Sequence, residues 1–330
     1  MQKYIDQIPT GKMSRADWLE ERRKSLGGSD MGAVLGLNPW RSPYAVWADK
    51  TGKLVEDRET EAVRIGRDLE DYVAKRFCEA SGKKVRRLNA LLRNNRKGPW
   101  LHANVDRLVV GEESGLECKT ASALNASRFA GGEFPATYYA QCVTYLAVTE
   151  YSRWFLAVLV MGREFKIFQM TTVSDDPCPE WCESSVYVSP EEIDALITAA
   201  AEFWDRVKYD DPPPVDGMPA TAEALASVIG PSNADKFVDL GGIQSVIRAY
   251  LKLRDEDAAR KELLARYENE IKEFMGDAAG GSCELAKISW KTQSSRRFDA
   301  KRFQKEHPEM DLTTYYNFTT TRPFKVTVIQ

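Results

Sequence analysis

Apolar positions along the chain change period several times, and each change predicts an element. Over residues 60–81, Val63, Leu69, Val73 and Phe77 recur at helical spacing and Gly82 follows as a stop. Three strand-like stretches come next, at 85–93, 100–110 and 115–120. Residues 135–148 return to a helical pattern. Two further strands, 153–161 and 164–171, flank Gly162-Arg163, which is a hairpin signal. A helix over 190–207 runs up to three consecutive prolines, Pro212 to Pro214. Successive prolines forbid helix and favour extended chain, so 212–217 is expected to link a first domain, 1–211, to an extension, 218–330. In the extension, apolar residues at 243, 246, 250 and 253, then 264, 267, 271 and 274, keep a period near 3.5 around a charged middle, 254–257. The pattern predicts one helix of roughly 50 Å at the usual rise. It stops at Gly276 and Gly280-Gly281, and the strand-like stretches 284–290 and 324–329 that follow are expected to return to a sheet. Mixed helix and strand of this kind indicates an α/β chain, of the α+β type with a mixed sheet.

Composition narrows the class. The chain is 43% hydrophobic and 29% charged, a globular profile. Its longest apolar run, 155–161, is far too short to cross a bilayer, and residues 1–6 carry no apolar signal segment, so a soluble cytoplasmic protein without membrane contact is expected. Six cysteines are scattered, with one CxxxC pair at Cys178 and Cys182 and no second pair to complete a zinc site, so reduced thiols are expected. With only two histidines, His102 and His307, a zinc hydrolase or a histidine-based nuclease is disfavoured. Net charge is −3, yet residues 287–325 hold nine Lys or Arg against four acids. A basic tail on an acidic protein serves either a phosphate backbone or solvation.

The chemistry concentrates between Asn104 and Thr120. An Asp, Asp106, ends one strand-like run, and Glu117-Cys-Lys119 lies on the next. On a strand, i and i+2 share a face, so Glu117 and Lys119 point together and Cys118 points away. A hairpin would bring Asp106 beside them. Two carboxylates can then hold a hard divalent cation through oxygen, and an ammonium can stabilise charge developing on a phosphate. The pattern D-x(n)-E-x-K alone is weak, because a strongly charged chain matches it by chance. Its context strengthens it: Glu70 stands on the preceding helix, where it could join the metal site or be an exposed helix acid. Gln141 and Tyr145 stand one turn apart on the following helix, where both could face one ligand or Tyr145 could be a core aromatic.

This order of motifs resembles the PD-(D/E)xK nucleases and, within them, the YqaJ-like viral recombinases of the lambda-exonuclease type. The matching stretches are 26–40, 42–47, 50–52, 66–70, Asp106, 116–120 and 138–149, in the expected order; the tail at 212–217, 289–293 and 296–303 is similar to the C-terminal half of phage enzymes in this group. The resemblance implies a restriction-endonuclease-like core with a C-terminal helical and β extension. It implies metal ligands at Asp106 and Glu117 with Glu70 assisting, Lys119 as the catalytic lysine, and Gln141 near the scissile phosphate. The ion would be Mg²⁺, with Mn²⁺ able to substitute. Arg22 and Ser29, seven residues apart as in the lambda-exonuclease type, would hold a 5′-phosphate, with Tyr145 also on the DNA side. The activity implied is 5′→3′ digestion of duplex DNA ends to leave 3′ single-stranded tails in phage recombination. Implied partners are DNA ends, a phage single-strand annealing protein, and further copies of the chain in a ring trimer. The sequence departs from the family pattern after Asp106, where Arg107 stands in place of a glycine. A structure- or site-specific endonuclease on the same fold and a non-catalytic DNA-binding protein are the alternatives. An iron–sulfur nuclease would need four clustered cysteines, which the sequence lacks.

Overall fold

Local caps organise the N-terminal residues, which show no strong apolar period. In the computed structural model, which describes residues 3–54, 60–312, 315 and 324–327, they form β1 (Ile5–Pro9), α1 (Arg15–Arg23), β2 (Leu26–Gly27), α2 (Gly28–Val34) and α3 (Pro43–Lys50). Ser14 and Asp17 cap α1 reciprocally, and Ser42 caps α3 with Pro43 at its first position. None of these elements was legible in the hydrophobic pattern.

The helix expected over 60–81 is α4 (Glu61–Ser81), capped by Thr60 and ended by Gly82 at φ 71°, a backbone conformation that suits glycine. The next two expected strands are each broken in two. Residues 85–93 give β3 (Val85–Arg86) and β4 (Ala90–Asn94), divided where Asn89 takes φ 51°. Residues 100–110 give β5 (Leu101–Asn104) and β6 (Arg107–Val109), divided at Asp106. The halves enter different sheets. β4 and β5 lie in a four-stranded sheet of order β1-β4-β5-β2, while β3 and β6 join a six-stranded sheet. The sequence hints at one break, since the alternation of Leu101, Ala103 and Val105 with polar neighbours loses its phase at Arg107, but only strand pairing shows that the halves enter different sheets.

The six-stranded sheet has the order β10-β9-β8-β7-β6-β3, with β7 (Ser114–Ala121), β8 (Arg153–Val160), β9 (Glu164–Thr171) and β10 (Ser184–Tyr187). β7 and β8 run parallel, joined through a 3₁₀ segment and helix α5 (Ala136–Thr149). β8 and β9 form the expected hairpin, with Gly162 at φ 72° in its turn. The sheet separates two apolar layers. Trp154, Leu156, Val158 and Val160 of β8 face the larger core with α5, whereas Phe155 and Ala157 face α4 through Val73 and Phe77. Helix, hairpin strands, helix and strand thus follow in the expected order, and the fold is a mixed α/β one.

Helix α6 (Pro190–Lys208) carries a full capping box from Ser189 and Glu192. Beyond the prolines, α7 (Pro219–Ile229) packs on α3, burying Thr221 and Ala224. The chain therefore divides after Pro231, later than the expected linker at 212–217, because the prolines only turn the chain back onto its own core. The second unit, Ser232–Gln330, contains α8 (Gln244–Met275), a two-stranded ladder of β11 (Gly280–Ser282) with β12 (Lys287–Ser289), and α9 (Ala300–Glu306). The expected return to a larger sheet is not seen: β12 pairs only with β11 among the described residues, 324–327 carry no strand, and 328–329 lie outside them. No helix among the described residues is long and apolar enough to cross a membrane.

One close approach controls how β7 meets the core. A Cβ on Gly115 would stand 2.2–2.6 Å from the fully buried Trp154 ring, which itself packs on Tyr145 at 5.0 Å. Gly115→Ala is expected to lower unfolding stability by about 1–3 kcal/mol, the usual cost of overpacking. Denaturant unfolding measures it; an unchanged midpoint would mean that Trp154 moves freely.

Candidate active site

A short hairpin builds the site. β6 pairs antiparallel with β7, Arg107 opposite Leu116, so one further step sets Asp106 beside Glu117. Asp106 sits in the break between β5 and β6, and its Oδ2 accepts the N–H of Cys118 at 2.8 Å. Leu116 and Cys118 join the apolar layer under α4, and Glu117 and Lys119 therefore take the opposite face, toward α5. The expected shared face is present.

Glu117 is only 2% exposed. Its Oε1 accepts from Gln141 Nε2 at 2.7 Å and from Lys119 Nζ at 2.5 Å. Its Oε2 is buried with no hydrogen-bond partner among the described residues. A buried acceptor left unsatisfied costs about 1–3 kcal/mol, more when charged. Beside a second carboxylate, such an oxygen fits a cation. Burial, then the Glu117 and Glu70 charges, push the Asp106 carboxyl well above the ordinary range. Burial works against the Lys119 charge, but Glu117 and Asp106 outweigh it and raise its pKa. The Lys119 ammonium also lies over the Tyr138 ring, 5.3 Å from its centroid.

Two expected site residues make contacts that their spacing did not show. Glu70 stands near enough for its charge to act on Asp106, and its Oε1 accepts from the Arg107 guanidinium. Arg107 has the reach to take it, and an adjacent cation outcompetes a pair of like charges. Tyr145 does not reach the surface. It is 2% exposed, and its hydroxyl accepts from Gln141 at 2.7 Å and donates to the Asn104 carbonyl at 3.2 Å. It is a core aromatic that aims Gln141 at Glu117.

Arg107, which the sequence showed only as a departure from the family pattern, is bonded into the site. Its nearly buried guanidinium also donates to the Asp106 carbonyl at 2.6 Å and to Asp71 at 2.5 Å. It thus braces the backbone that carries Asp106. As the first residue of a strand it needs no left-handed backbone, so a glycine is not required there.

Arg22 and Ser29 come together as expected. Arg22 Nη2 donates to Ser29 Oγ at 2.9 Å, its guanidinium stacks over Trp18 at 4.7 Å, and its Nε is buried with no partner among the described residues. Around them stands a buried charge cluster that the sequence did not reveal. Lys50 donates to the Arg22 carbonyl at 2.9 Å and pairs with Asp30 at 2.7 Å, and Arg41 pairs with Asp30 at 2.6 Å. Burial alone would raise the Asp30 carboxyl, but Lys50, Arg41 and Arg22 hold it well below its usual range. His102, bonded to Ser25 at 2.9 Å, is kept neutral by burial and by the Lys50 and Arg22 charges. The two clusters share a wall: a Cβ on Gly28 would lie 2.7 Å from the Tyr145 ring and 3.1 Å from the Gln141 carbonyl.

A carboxyl with a raised folded-state pKa favours the fold below its unfolded value and loses that contribution as pH rises through the folded one. At neutral pH, without metal, Asp106→Asn should therefore raise Tm, by about 2–4 °C per kcal/mol relieved in a unit of this size. The gain should fade toward pH 4, where Asp106 in the wild type is itself protonated. Thermal scans across pH check this; a lower Tm at neutral pH would show that the two carboxylates do not repel.

Residues 17–152 match the YqaJ-like viral recombinase domain. Among solved structures, the chain is similar to LHK-Exo, an alkaline exonuclease from Laribacter hongkongensis (14% identity, 59% of this chain and 94% of that one, TM-score 0.46). It is also similar to a phage-related exonuclease from Haemophilus somnus 129PT (10% identity, 58% and 99%, TM-score 0.39). Over 304 residues, 91% of this chain and 90% of the relative, it is 37% identical to the uncharacterized protein YqaJ of Bacillus subtilis (strain 168). With that extent of likeness added to the hairpin carboxylates, the chain belongs to the YqaJ-like viral recombinase family.

Proposed function

We propose that the chain is a Mg²⁺-dependent 5′→3′ exonuclease of double-stranded DNA that leaves 3′ single-stranded tails, working in the bacterial cytoplasm in viral recombination beside a single-strand annealing protein. The observation that carries this reading is the Asp106–Glu117 pair with Glu117 Oε2 buried and unpartnered. Two carboxylates fit Mg²⁺, which keeps waters in its remaining positions, and Mn²⁺ can take the same donors. When bound, the ion supplies positive charge to the scissile phosphate and acidity to water.

The protein groups divide the remaining work. Gln141, locked by Tyr145, fixes Glu117 Oε1, which would leave its second oxygen available to a cation. Lys119 keeps its proton and offers its remaining donors to the oxygen on which charge develops. Arg107 steadies Asp106 through its carbonyl and draws Glu70 aside. Arg22 and Ser29 support end recognition: a guanidinium and a hydroxyl can grip a terminal phosphate through parallel hydrogen bonds.

End-labelled linear duplex with Mg²⁺, run beside a covalently closed circle, tests the reaction class. The linear form should be digested and the circle spared; a nicked or cut circle would make the protein an endonuclease, and no cleavage of either a binding protein. In the same assay Lys119→Ala should lower kcat by about 10²-fold or more, the scale of a lost electrostatic stabiliser. Lys119→Arg should not restore it, since a planar fork does not replace a compact ammonium.

Arg22→Ala should slow digestion of a 5′-phosphorylated duplex and erase its advantage over a 5′-hydroxyl end. Competition between the two ends in one tube reads this directly. A variant that still prefers the phosphorylated end would remove Arg22 from end recognition.

A further inference from the structure

Helix α8 is 32 residues long, about 48 Å at 1.5 Å per residue, and none of its residues is buried. Steps of alternately three and four residues carry one seam from Ile243, at its N-cap, to Phe274, and every step but two lands on an apolar side chain. A strict seven-residue repeat held for this length sets that seam against a neighbouring helix. Yet the seam is open: Leu253 is 64% exposed and Leu264 55%. Phe324 meets Tyr250 edge-on at 6.1 Å, but the described tail segment 324–327 is too short to cover 48 Å of helix, and Tyr250 remains 44% exposed.

We propose that α8 is a dimerisation helix, through which two copies of this chain pair as an antiparallel two-stranded coiled coil. The two interruptions of the seam decide occupant and direction. They are Asp257 and Arg260, of opposite charge, and they straddle the centre of the repeat. When a second copy runs antiparallel about that centre, Asp257 meets the partner's Arg260, and the reverse pair forms by symmetry. The same register sets Leu253 on the partner's Leu264, Tyr250 on the partner's Tyr267 and Val246 on the partner's Ile271. Every layer is matched. A parallel pair would stack Asp on Asp and Arg on Arg inside the seam, where unpaired charge is most expensive. The antiparallel register does bring Arg254 near the partner's Lys261, but at the solvated rim, where charge interactions are weak. One polar layer in an apolar seam commonly fixes register and stoichiometry. Asp257 already pairs along its own helix with Arg260 and, at 2.6 Å, with Lys261, so these side chains reach along the seam. This contact is twofold, lies outside the catalytic core, and does not depend on the reading of that core.

Sedimentation of the full-length chain over a concentration series tests the pairing. Leu253→Asp with Leu264→Asp, Asp257→Arg alone, and Arg260→Asp alone should each halve the native mass, weakening association by about 100-fold or more. Mixing the Asp257→Arg and Arg260→Asp chains should restore it. All these positions are solvent-exposed or nearly so in one copy, so helix content by circular dichroism should not change. A wild type that stays monomeric, or an oligomer of any size that the variants leave intact, overturns the proposal; either result would leave the seam to another part of the same chain. Direction is read by cross-linking with exposed Cys178 and Cys283 replaced by Ser. Leu253→Cys mixed with Leu264→Cys should form an intermolecular disulfide, and Leu253→Cys by itself should not. The opposite outcome would make the helices parallel and overturn the antiparallel register.

Discussion

Asp106 and Glu117 stand side by side on a hairpin, Glu117 buried and Asp106 half-buried, and like charges so placed repel by an amount on the order of a few kcal/mol. A chain without use for them would let one turn outward. Here the surroundings prevent it. The Cys118 N–H holds Asp106, Gln141 and Lys119 both hold Glu117, and Tyr145 holds Gln141 against the Asn104 carbonyl. Tyr145 is in turn wedged between Gly28 and Trp154, and Trp154 rests on Gly115. Gln141, Tyr145, Gly28 and Trp154 are buried, so the strain is spread over packing that the rest of the core maintains.

Charge in this protein is organised as two enclosed clusters with one wall in common. At the hairpin, acid is in excess and Lys119 is its counterweight, while Arg107 draws Glu70 aside and braces the strand break that presents Asp106. At the end of α1, base is in excess: Arg22, Lys50 and Arg41 surround Asp30, and a neutral His102 lies beneath them. A phosphodiester end carries charge that suits the second cluster and a scissile bond that suits the first. Because Gly28 lies against Tyr145, the two clusters are fixed relative to each other by direct packing.

The second unit follows a different logic. Its long helix is held by local charge pairs such as Lys272–Glu268 and Lys261–Asp257 and by no buried side chain. Helical propensity and i,i+4 pairs keep such a segment regular, but an uncovered apolar seam is stabilised only by a partner. The Asp257–Arg260 layer makes that seam complementary to itself.

What the sequence determined by itself were the features that depend on spacing along the chain. The 2-residue period of β7 put Glu117 and Lys119 on one face, and Gly82 and Gly162 ended their elements; the meeting of Arg22 and Ser29 was implied by the family resemblance and not by spacing alone. Only the tertiary structure decided which long-range neighbours each charge would find. Glu70 was expected at the metal site from its place on the preceding helix and from the family resemblance, and Arg107, 37 positions along, pairs with it. Tyr145 was expected beside DNA, yet the core claims its ring and Gln141 its hydroxyl. The strand breaks at Asn89 and Asp106 send their halves into two different sheets, and that pairing is a long-range property which a local loss of alternation at Arg107 does not specify. A carboxylate's partner is chosen by three-dimensional proximity and desolvation, and neither is a function of distance along the chain.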